Sequence, residues 1–178
     1  EIVAVANSKI WLLTHDLQVV WGPVTVVGGG GPPVVGDFDG DGMPEIGVAG
    51  GESYVAFKAD GSVLWTMPTT DASSRSTGST LFDFEGDGTA EVVYRDEVRL
   101  WVFKGTTGEV LFSTLNSSGT GFEYPTVVDV DADGRAEIVV PANTIYNSNG
   151  QHGIYVYGDT NNAWVNTRKI WNQHTYHV

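Results

Sequence analysis

Short hydrophobic stretches alternate with glycine- and aspartate-rich segments along the whole chain. The hydrophobic stretches are rich in β-branched and aromatic residues, which favour strands, and the frequent glycines favour tight turns between them. Several stretches, such as 54–57 and 100–103, are apolar at consecutive positions, which indicates strands that are covered on both faces. The pattern therefore predicts an all-β fold built from many short strands.

The same pattern recurs at an interval of 46 residues, with repeats that are in phase at Asp37, Asp83 and Asp129. A repeat of this length with four strands is typical of one β-propeller blade of four antiparallel strands. The predicted strands lie at 33–35, 45–49, 54–57 and 63–65 in the first repeat, at 80–82, 91–94, 100–103 and 110–112 in the second, and at 126–128, 137–140 and 154–157 in the third.

The repeats predict a single β-propeller segment over residues 1–178, with about four blades' worth of sequence. Glu1 matches Glu45 in the repeat register, so the chain is expected to start inside a blade. We expect an incomplete propeller, and a ring closed by pairing of the two chain ends is the alternative. The expected division is a partial blade at 1–22, blades at 33–68, 79–115 and 124–166, and the first strand of a further blade at 171–178.

Negative charge is concentrated in the repeats. The chain has 22 acidic and 9 basic residues, a net charge of -13, and 12 of the acids lie in three nine-residue segments. Four carboxylates in such a short segment repel one another unless a cation lies among them. The net charge disfavours nucleic acid as a partner, the hydrophobic stretches are too short for membrane insertion, and the absence of cysteine excludes thiolate metal sites.

The spacing within each acidic segment favours calcium. Oxygen ligands at positions 1, 3 and 5 of a tight loop converge on one point, a glycine at position 6 permits the turn, and calcium accepts irregular oxygen coordination. The last acid is at position 9, whereas an EF-hand would need it at position 12, where Val48, Tyr94 and Val140 stand. The alternative is that these segments are aspartate-glycine turns without an ion.

These segments resemble the FG-GAP and VCBS repeats, the calcium-binding blades of integrin α-subunit propellers and their bacterial relatives. The family pattern is Asp-x-Asp-x-Asp-Gly-x-x-Asp/Glu, and the absence of literal Phe-Gly and Gly-Ala-Pro signatures makes the resemblance one to the bacterial type. The resemblance implies about three calcium ions, each held by the side chains at positions 1, 3, 5 and 9 and the carbonyl at position 7. The implied ligands are Asp37, Asp39, Asp41, Met43 and Glu45; Asp83, Glu85, Asp87, Thr89 and Glu91; and Asp129, Asp131, Asp133, Arg135 and Glu137.

The resemblance implies a calcium-binding, non-catalytic adhesion or recognition module of an extracellular or cell-surface protein, with a protein or glycan as ligand. One alternative is a carbohydrate-binding lectin or the propeller scaffold of a polysaccharide-degrading enzyme, and another is a structural spacer without a ligand. No nucleophile, zinc or phosphate-loop motif is present, so we predict that the chain is not an enzyme. Catalysis would need acids outside the loops, of which the main candidates are Asp71, Asp96, Glu97, Glu123 and Asp159.

Two further features bear on packing and recognition. Trp21 and Trp65 stand at equivalent places on the predicted outer strands, where we expect them to pack between blades. The longest connections are 69–79, 116–124 and 143–153. If strand direction alternates, these connections lie at the end opposite the acidic loops, and a partner is expected to bind there.

Overall fold

The computed structural model describes residues 1–119, 121, 123–145 and 147–167. In these residues the regular structure is entirely β, and the strands form four antiparallel sheets, none of which closes into a barrel. The first sheet has β1 (Ile2–Ala6), β2 (Lys9–Leu13) and β3 (Val19–Thr25); the second has β4 (Val34–Gly36), β5 (Glu45–Ala49), β6 (Ser53–Phe57) and β7 (Val63–Pro68); the third has β8 (Ser79–Phe82), β9 (Glu91–Arg95), β10 (Arg99–Phe103) and β11 (Val110–Leu115); and the fourth has β12 (Thr126–Val128), β13 (Glu137–Ala142) and β14 (Gly153–Tyr157).

Each sheet is a meander in which strands that follow one another in the chain are neighbours. The first strands of the second, third and fourth sheets also meet: β4 contacts β8, and β8 contacts β12. Since the strands alternate in direction, the β4–β5 loop and the β6–β7 turn lie at one end of the second sheet, which we call the acidic-loop end. The β5–β6 and β7–β8 connections lie at the opposite end, the connection end.

Hydrophobic clusters lie between consecutive sheets. Val92 and Tyr94 of β9 pack toward the second sheet, whereas Val93 between them packs toward the fourth, because successive side chains point to opposite faces of a strand. This arrangement explains the consecutive apolar positions in the sequence. The three clusters are centred on Ile10, Val26, Ile46, Val48 and Phe57; on Phe38, Tyr54, Trp65, Val92, Tyr94 and Phe103; and on Phe84, Val93, Leu100, Ile138 and Val140.

The two tryptophans join neighbouring sheets. The indole Nε1 of Trp21 donates a hydrogen bond to the Ala59 carbonyl at 2.9 Å, and that of Trp65 donates to the Gly105 carbonyl at 2.6 Å. The first ring lies against Gly61, whose φ is 86°, and a Cβ there would lie 2.8 Å from Trp21 Cδ2. The predicted packing of these side chains between sheets is confirmed.

The predicted strands agree with the observed strands to within one or two residues, except for two outer strands. Those were predicted at 63–65 and 110–112 but continue to Pro68 and Leu115. Polar residues in the continuation obscure the pattern, although an edge strand exposed on one side accepts them. The strand predicted at 171–178 lies outside the described residues.

Candidate metal centres

The three acidic loops connect β4 to β5, β8 to β9 and β12 to β13, and they share one set of hydrogen bonds. Asp37 accepts backbone N–H groups from Gly40 at 2.7 Å and Gly42 at 2.9 Å. Glu45 Oε2 accepts the Phe38 N–H at 2.9 Å, which closes the base of the loop. The equivalent bonds recur, 46 residues apart each time, at Asp83 and Glu91 and at Asp129 and Glu137.

The backbone conformation explains the glycine at position 6 of each loop. Gly42, Gly88 and Gly134 have φ values of 84°, 90° and 90°, in the left-handed region that favours glycine. Position 4 is also left-handed, and there the third loop has Ala132 with φ of 69°. These turns fold the loop back so that its alternate side chains converge.

Carboxylates of each loop converge closely enough to share one ion. In each loop three carboxylate groups offer oxygens that all lie within 4.8 Å of one another. Two oxygens bound to the same calcium at about 2.3 to 2.6 Å can be at most about 5.2 Å apart, so the separation fits calcium. The three groups are Asp37, Asp39 and Asp41; Asp83, Glu85 and Glu91; and Asp129, Asp131 and Glu137.

The loops differ in which acids belong to these groups. Asp41 belongs to the group in the first loop, whereas its equivalents Asp87 and Asp133 lie outside theirs, and Glu45 lies outside the first group. The Asp41 and Asp87 carboxylates accept the N–H of the residue two positions later, as expected for turns closed by aspartate. The complete ligand set at each loop therefore stays a prediction.

The last acid of each loop is in an environment that disfavours its negative charge. Burial raises the pKa of Glu45 and Glu137, and repulsion from the aspartates of the same loop raises it further. Burial raises the pKa of Glu91 to about 8, with additional contributions from Glu85 and Asp83. A bound cation would offset this repulsion, so the electrostatics of the loops favour metal binding.

The residue at position 3 distinguishes the second loop. Glu85 stands where the other loops have Asp39 and Asp131. Because a glutamate has one more rotatable bond to order, we expect Glu85→Asp to tighten calcium binding at the second loop by up to about tenfold, or about 1.4 kcal/mol. Calorimetric titration of each variant with calcium would measure the change.

The matched control is the reverse substitution in the first loop. Asp39→Glu should weaken one of the sites to a similar extent. A Glu85→Asp chain that binds calcium no more tightly than the original chain would contradict the importance of this position.

The sequence matches a family model for FG-GAP-like repeats over residues 37–94 and 83–140, a span that includes all three acidic loops. The chain belongs to the FG-GAP-like repeat family. These FG-GAP-like repeats are also similar in structure to the V. cholerae biofilm matrix protein Bap1, with a TM-score of 0.70 and 28% sequence identity over 97% of this chain. The chain spans 30% of the length of the Bap1 chain. None of the curated proteins that were compared matches it.

The acids outside the loops have structural hydrogen bonds. Asp96 accepts the N–H groups of Thr70, Val98 and Arg99 and the indole Nε1 of Trp101, at distances of 2.7 to 3.0 Å. The other candidate acids hold turns or neighbouring segments. Asp71 accepts from Ser74 and Thr77, Glu97 from Ser73, Glu123 from Ser118, and Asp159 from Asn161 and Ala163.

The structure reveals a buried cation that the sequence analysis did not single out. Arg95 is fully buried at the end of β9, where its Nη1 donates to the Pro141 carbonyl at 3.2 Å. Its Nη2 lies 3.3 Å from Glu123 Oε1. Burial lowers the pKa of Arg95, and the Glu123 carboxylate opposes that change. The repeat equivalent of Arg95 is Ala49, so an arginine at this position of a predicted strand was the signal that the sequence offered. The contacts of Arg95 join the third and fourth sheets.

The long connections lie together at the connection end, and main-chain hydrogen bonds join them in series. Glu97 N–H donates to Thr70 O at 2.8 Å, and Ser118 N–H donates to Glu97 O at 3.0 Å. Asn143 continues the series, because its N–H donates to Ser117 O at 2.9 Å. This end therefore presents long loops that are joined to one another by hydrogen bonds. In the described ranges there is no helix of a length and hydrophobicity that could cross a membrane.

Proposed function

We propose that the chain is a calcium-stabilised, non-catalytic adhesion or recognition module of an extracellular protein. The observation that carries this proposal is the threefold recurrence, every 46 residues, of a carboxylate cluster held by the same backbone hydrogen bonds. Membership in the FG-GAP-like family and similarity to a biofilm matrix protein support it. Calcium outside cells, near millimolar, would fill even weak sites of this kind.

Three calcium ions would bind, one in each acidic loop. Bound calcium would neutralise the carboxylates and hold the first strand of a sheet to the second. The position-2 side chains Phe38 and Phe84 are buried between sheets, so ordering a loop also orders the interface beneath it. The proposed ligands are the side chains of Asp37, Asp39, Asp41, Glu45, Asp83, Glu85, Asp87, Glu91, Asp129, Asp131, Asp133 and Glu137 and the carbonyls of Met43, Thr89 and Arg135.

The four sheets correspond, in this proposal, to consecutive blades of an incomplete β-propeller. The contacts of β4 with β8 and of β8 with β12 support this arrangement, because the first strands of propeller blades surround a common axis. Trp21 and Trp65 support it as well, since each contacts the following sheet at an equivalent place. A partner would bind at the connection end, through the loops that include Asn143 and its neighbours.

Calcium stoichiometry tests the proposal. Titration of chelator-treated chain should give about three ions per chain, and Asp41→Ala should reduce that number to two because it removes a carboxylate from the first cluster. Asp60→Ala is the matched control, since Asp60 lies in the β6–β7 turn at the same end but outside the clusters. A stoichiometry of zero, or an equal loss in both variants, would refute the proposal.

A further inference from the structure

A lysine lies beside the first acidic loop. Lys58 follows β6, and its Nζ atom lies 3.9 Å from Oδ2 of Asp39, a member of the first carboxylate cluster. The Lys58 side chain is 44% exposed, and that of Asp39 is 17% exposed. Among the described residues Asp39 is the one acid that forms an ion pair with Lys58. A positive charge therefore stands at the edge of this cluster.

One further acid faces Lys58 from its own turn. Asp60 accepts the Ser62 N–H at 2.9 Å and the Ser62 hydroxyl at 2.6 Å, and these hydrogen bonds lower its pKa more than the charge of Lys58 does. The Asp39 carboxylate accepts the Asp41 N–H at 3.3 Å, and the acidic loop itself contains no basic residue. Lys58 therefore supplies Asp39 with a charge that its own loop does not provide.

The second repeat has a lysine at the equivalent position. Lys104 stands 46 residues after Lys58 and follows β10 as Lys58 follows β6. In both turns the lysine N–H donates a main-chain hydrogen bond of 2.8 Å across the turn. Hydrogen bonds from Thr89 lower the pKa of Asp87, and the positive charge of Lys104 lowers it further. The second lysine therefore lies near the second acidic loop.

The third repeat has a glycine at this position. Gly158 follows β14 as the lysines follow β6 and β10, and it borders a cavity of about 240 Å³ beside Asp131 and Glu137 of the third cluster. Arg135 and Asp159, which have opposite charges, border the same cavity. A Cβ on Gly158 would lie 3.7 Å from Glu137 Cγ, an ordinary van der Waals distance. The position can therefore accept a side chain.

A lysine at the edge of such a cluster has two opposite effects. Its charge offsets part of the repulsion among the carboxylates, which stabilises the loop without an ion. The same charge repels a cation that enters the cluster, which weakens binding. Because Lys58 is partly exposed, both effects should be modest and should shrink as salt screens them.

We propose that Lys58 and Lys104 act as built-in counter-cations of the first two acidic loops and thereby set the calcium affinity of those loops. Each lysine would hold its loop together before calcium arrives and would make loading depend on a high calcium concentration, as exists outside cells. This inference rests on the proposed function, because it presupposes that the loops bind calcium. It adds that two residues outside the carboxylate clusters tune the binding.

Calorimetric titration of the full chain with calcium tests this inference at ionic strengths of about 0.01 M and about 1 M. Lys58→Met keeps the length of the side chain but removes its charge. We expect it to tighten one of the sites about threefold to tenfold at low ionic strength and less than about twofold at high ionic strength. Lys58→Arg retains the charge and should bind calcium as the original chain does.

The matched control is Lys9→Met. Lys9 is exposed and begins β2, beside the equivalent of the β5–β6 connection and thus at the end opposite the acidic loops. Its replacement removes the same charge from the chain but should leave each calcium affinity within about twofold of the original.

Melting temperatures give a second readout that distinguishes a counter-cation from a lysine that only supports the turn. In chelator, Lys58→Met should lower the melting temperature by about 1 to 3 °C, because the ion-free loop loses its counter-charge. The rise on adding calcium should be larger than for the original chain. A lysine that only supports the turn would instead lower the melting temperature equally in chelator and in calcium.

The reverse change can be made in the third repeat. Gly158→Lys should weaken one of the sites about threefold to tenfold at low ionic strength, by adding a positive charge beside the third cluster. Gly158→Met is the matched control, since it adds similar bulk without the charge.

The outcomes separate this inference from the proposed function. A Lys58→Met chain that binds three ions with the affinities of the original chain at low ionic strength would overturn the inference and leave the proposed function intact. A change in affinity that persists at high ionic strength, or that Lys9→Met reproduces, would also overturn it. Absence of calcium binding by the original chain would refute both.

Discussion

Calcium is expected to raise the melting temperature of the chelator-treated chain by about 15 to 30 °C. Each ion that binds only the folded state stabilises it by about 2.7 kcal/mol at a hundredfold excess over its dissociation constant, so three ions would contribute about 8 kcal/mol. In a chain of this size 1 kcal/mol corresponds to about 2 to 4 °C. Release of the repulsion at the buried Glu45, Glu91 and Glu137 is the physical source of the effect.

Differential scanning calorimetry in chelator, in calcium and in magnesium would measure this shift. Magnesium should have a smaller effect, because it prefers strict octahedral coordination and retains its waters. Identical melting curves in chelator and calcium would show that the acidic loops are ordinary turns.

Phe38→Ala is expected to lower the free energy of unfolding by about 3 to 5 kcal/mol, the usual cost of removing a buried phenylalanine ring. Phe38 is the position-2 residue of the first loop, and its ring is buried among Tyr54, Trp65 and Phe103. Removing the ring leaves a cavity between the second and third sheets and frees the loop that holds the first carboxylate cluster. Calcium affinity at that loop should fall as well.

Val130→Ala is the matched control. Val130 occupies position 2 of the third loop but is 49% exposed, so its truncation should cost less than about 1 kcal/mol. Urea denaturation in saturating calcium would compare the two variants. Equal losses would mean that position 2 contributes through the loop alone and not through packing between sheets.

The strands and the acidic loops could be predicted from the sequence because the same pattern occurs three times at an interval of 46 residues. The acidic segment marks the end of one strand and the start of the next, and consecutive apolar residues such as Val92 and Val93 indicate sheets covered on both faces. The tryptophans were predictable for the same reason, since Trp21 and Trp65 share a place in the repeat.

Features that occur in only one repeat could not be predicted from the repeat pattern. Arg95 has no basic equivalent in the other repeats, and its partners Glu123 and Pro141 are distant in sequence, so only the packed structure brings them together. The sequence singles out Asp71 and Asp96 as candidate catalytic acids, but it does not show that Asp71 accepts from Ser74 or that Asp96 accepts from the distant Thr70. Which acids of a loop belong to its carboxylate cluster likewise depends on side-chain conformation, which the spacing in the sequence does not determine.

Among the described residues, each hydrophobic cluster lies between two consecutive sheets. Duplication of one 46-residue unit in phase would create a new cluster of the same composition and leave those already present unchanged. A duplication out of phase would break the alternation of the strands. Residues equivalent to Val92 and Val93 would then no longer face the sheets against which they pack. Lengthening of the chain by duplication is therefore expected only in phase with the 46-residue repeat.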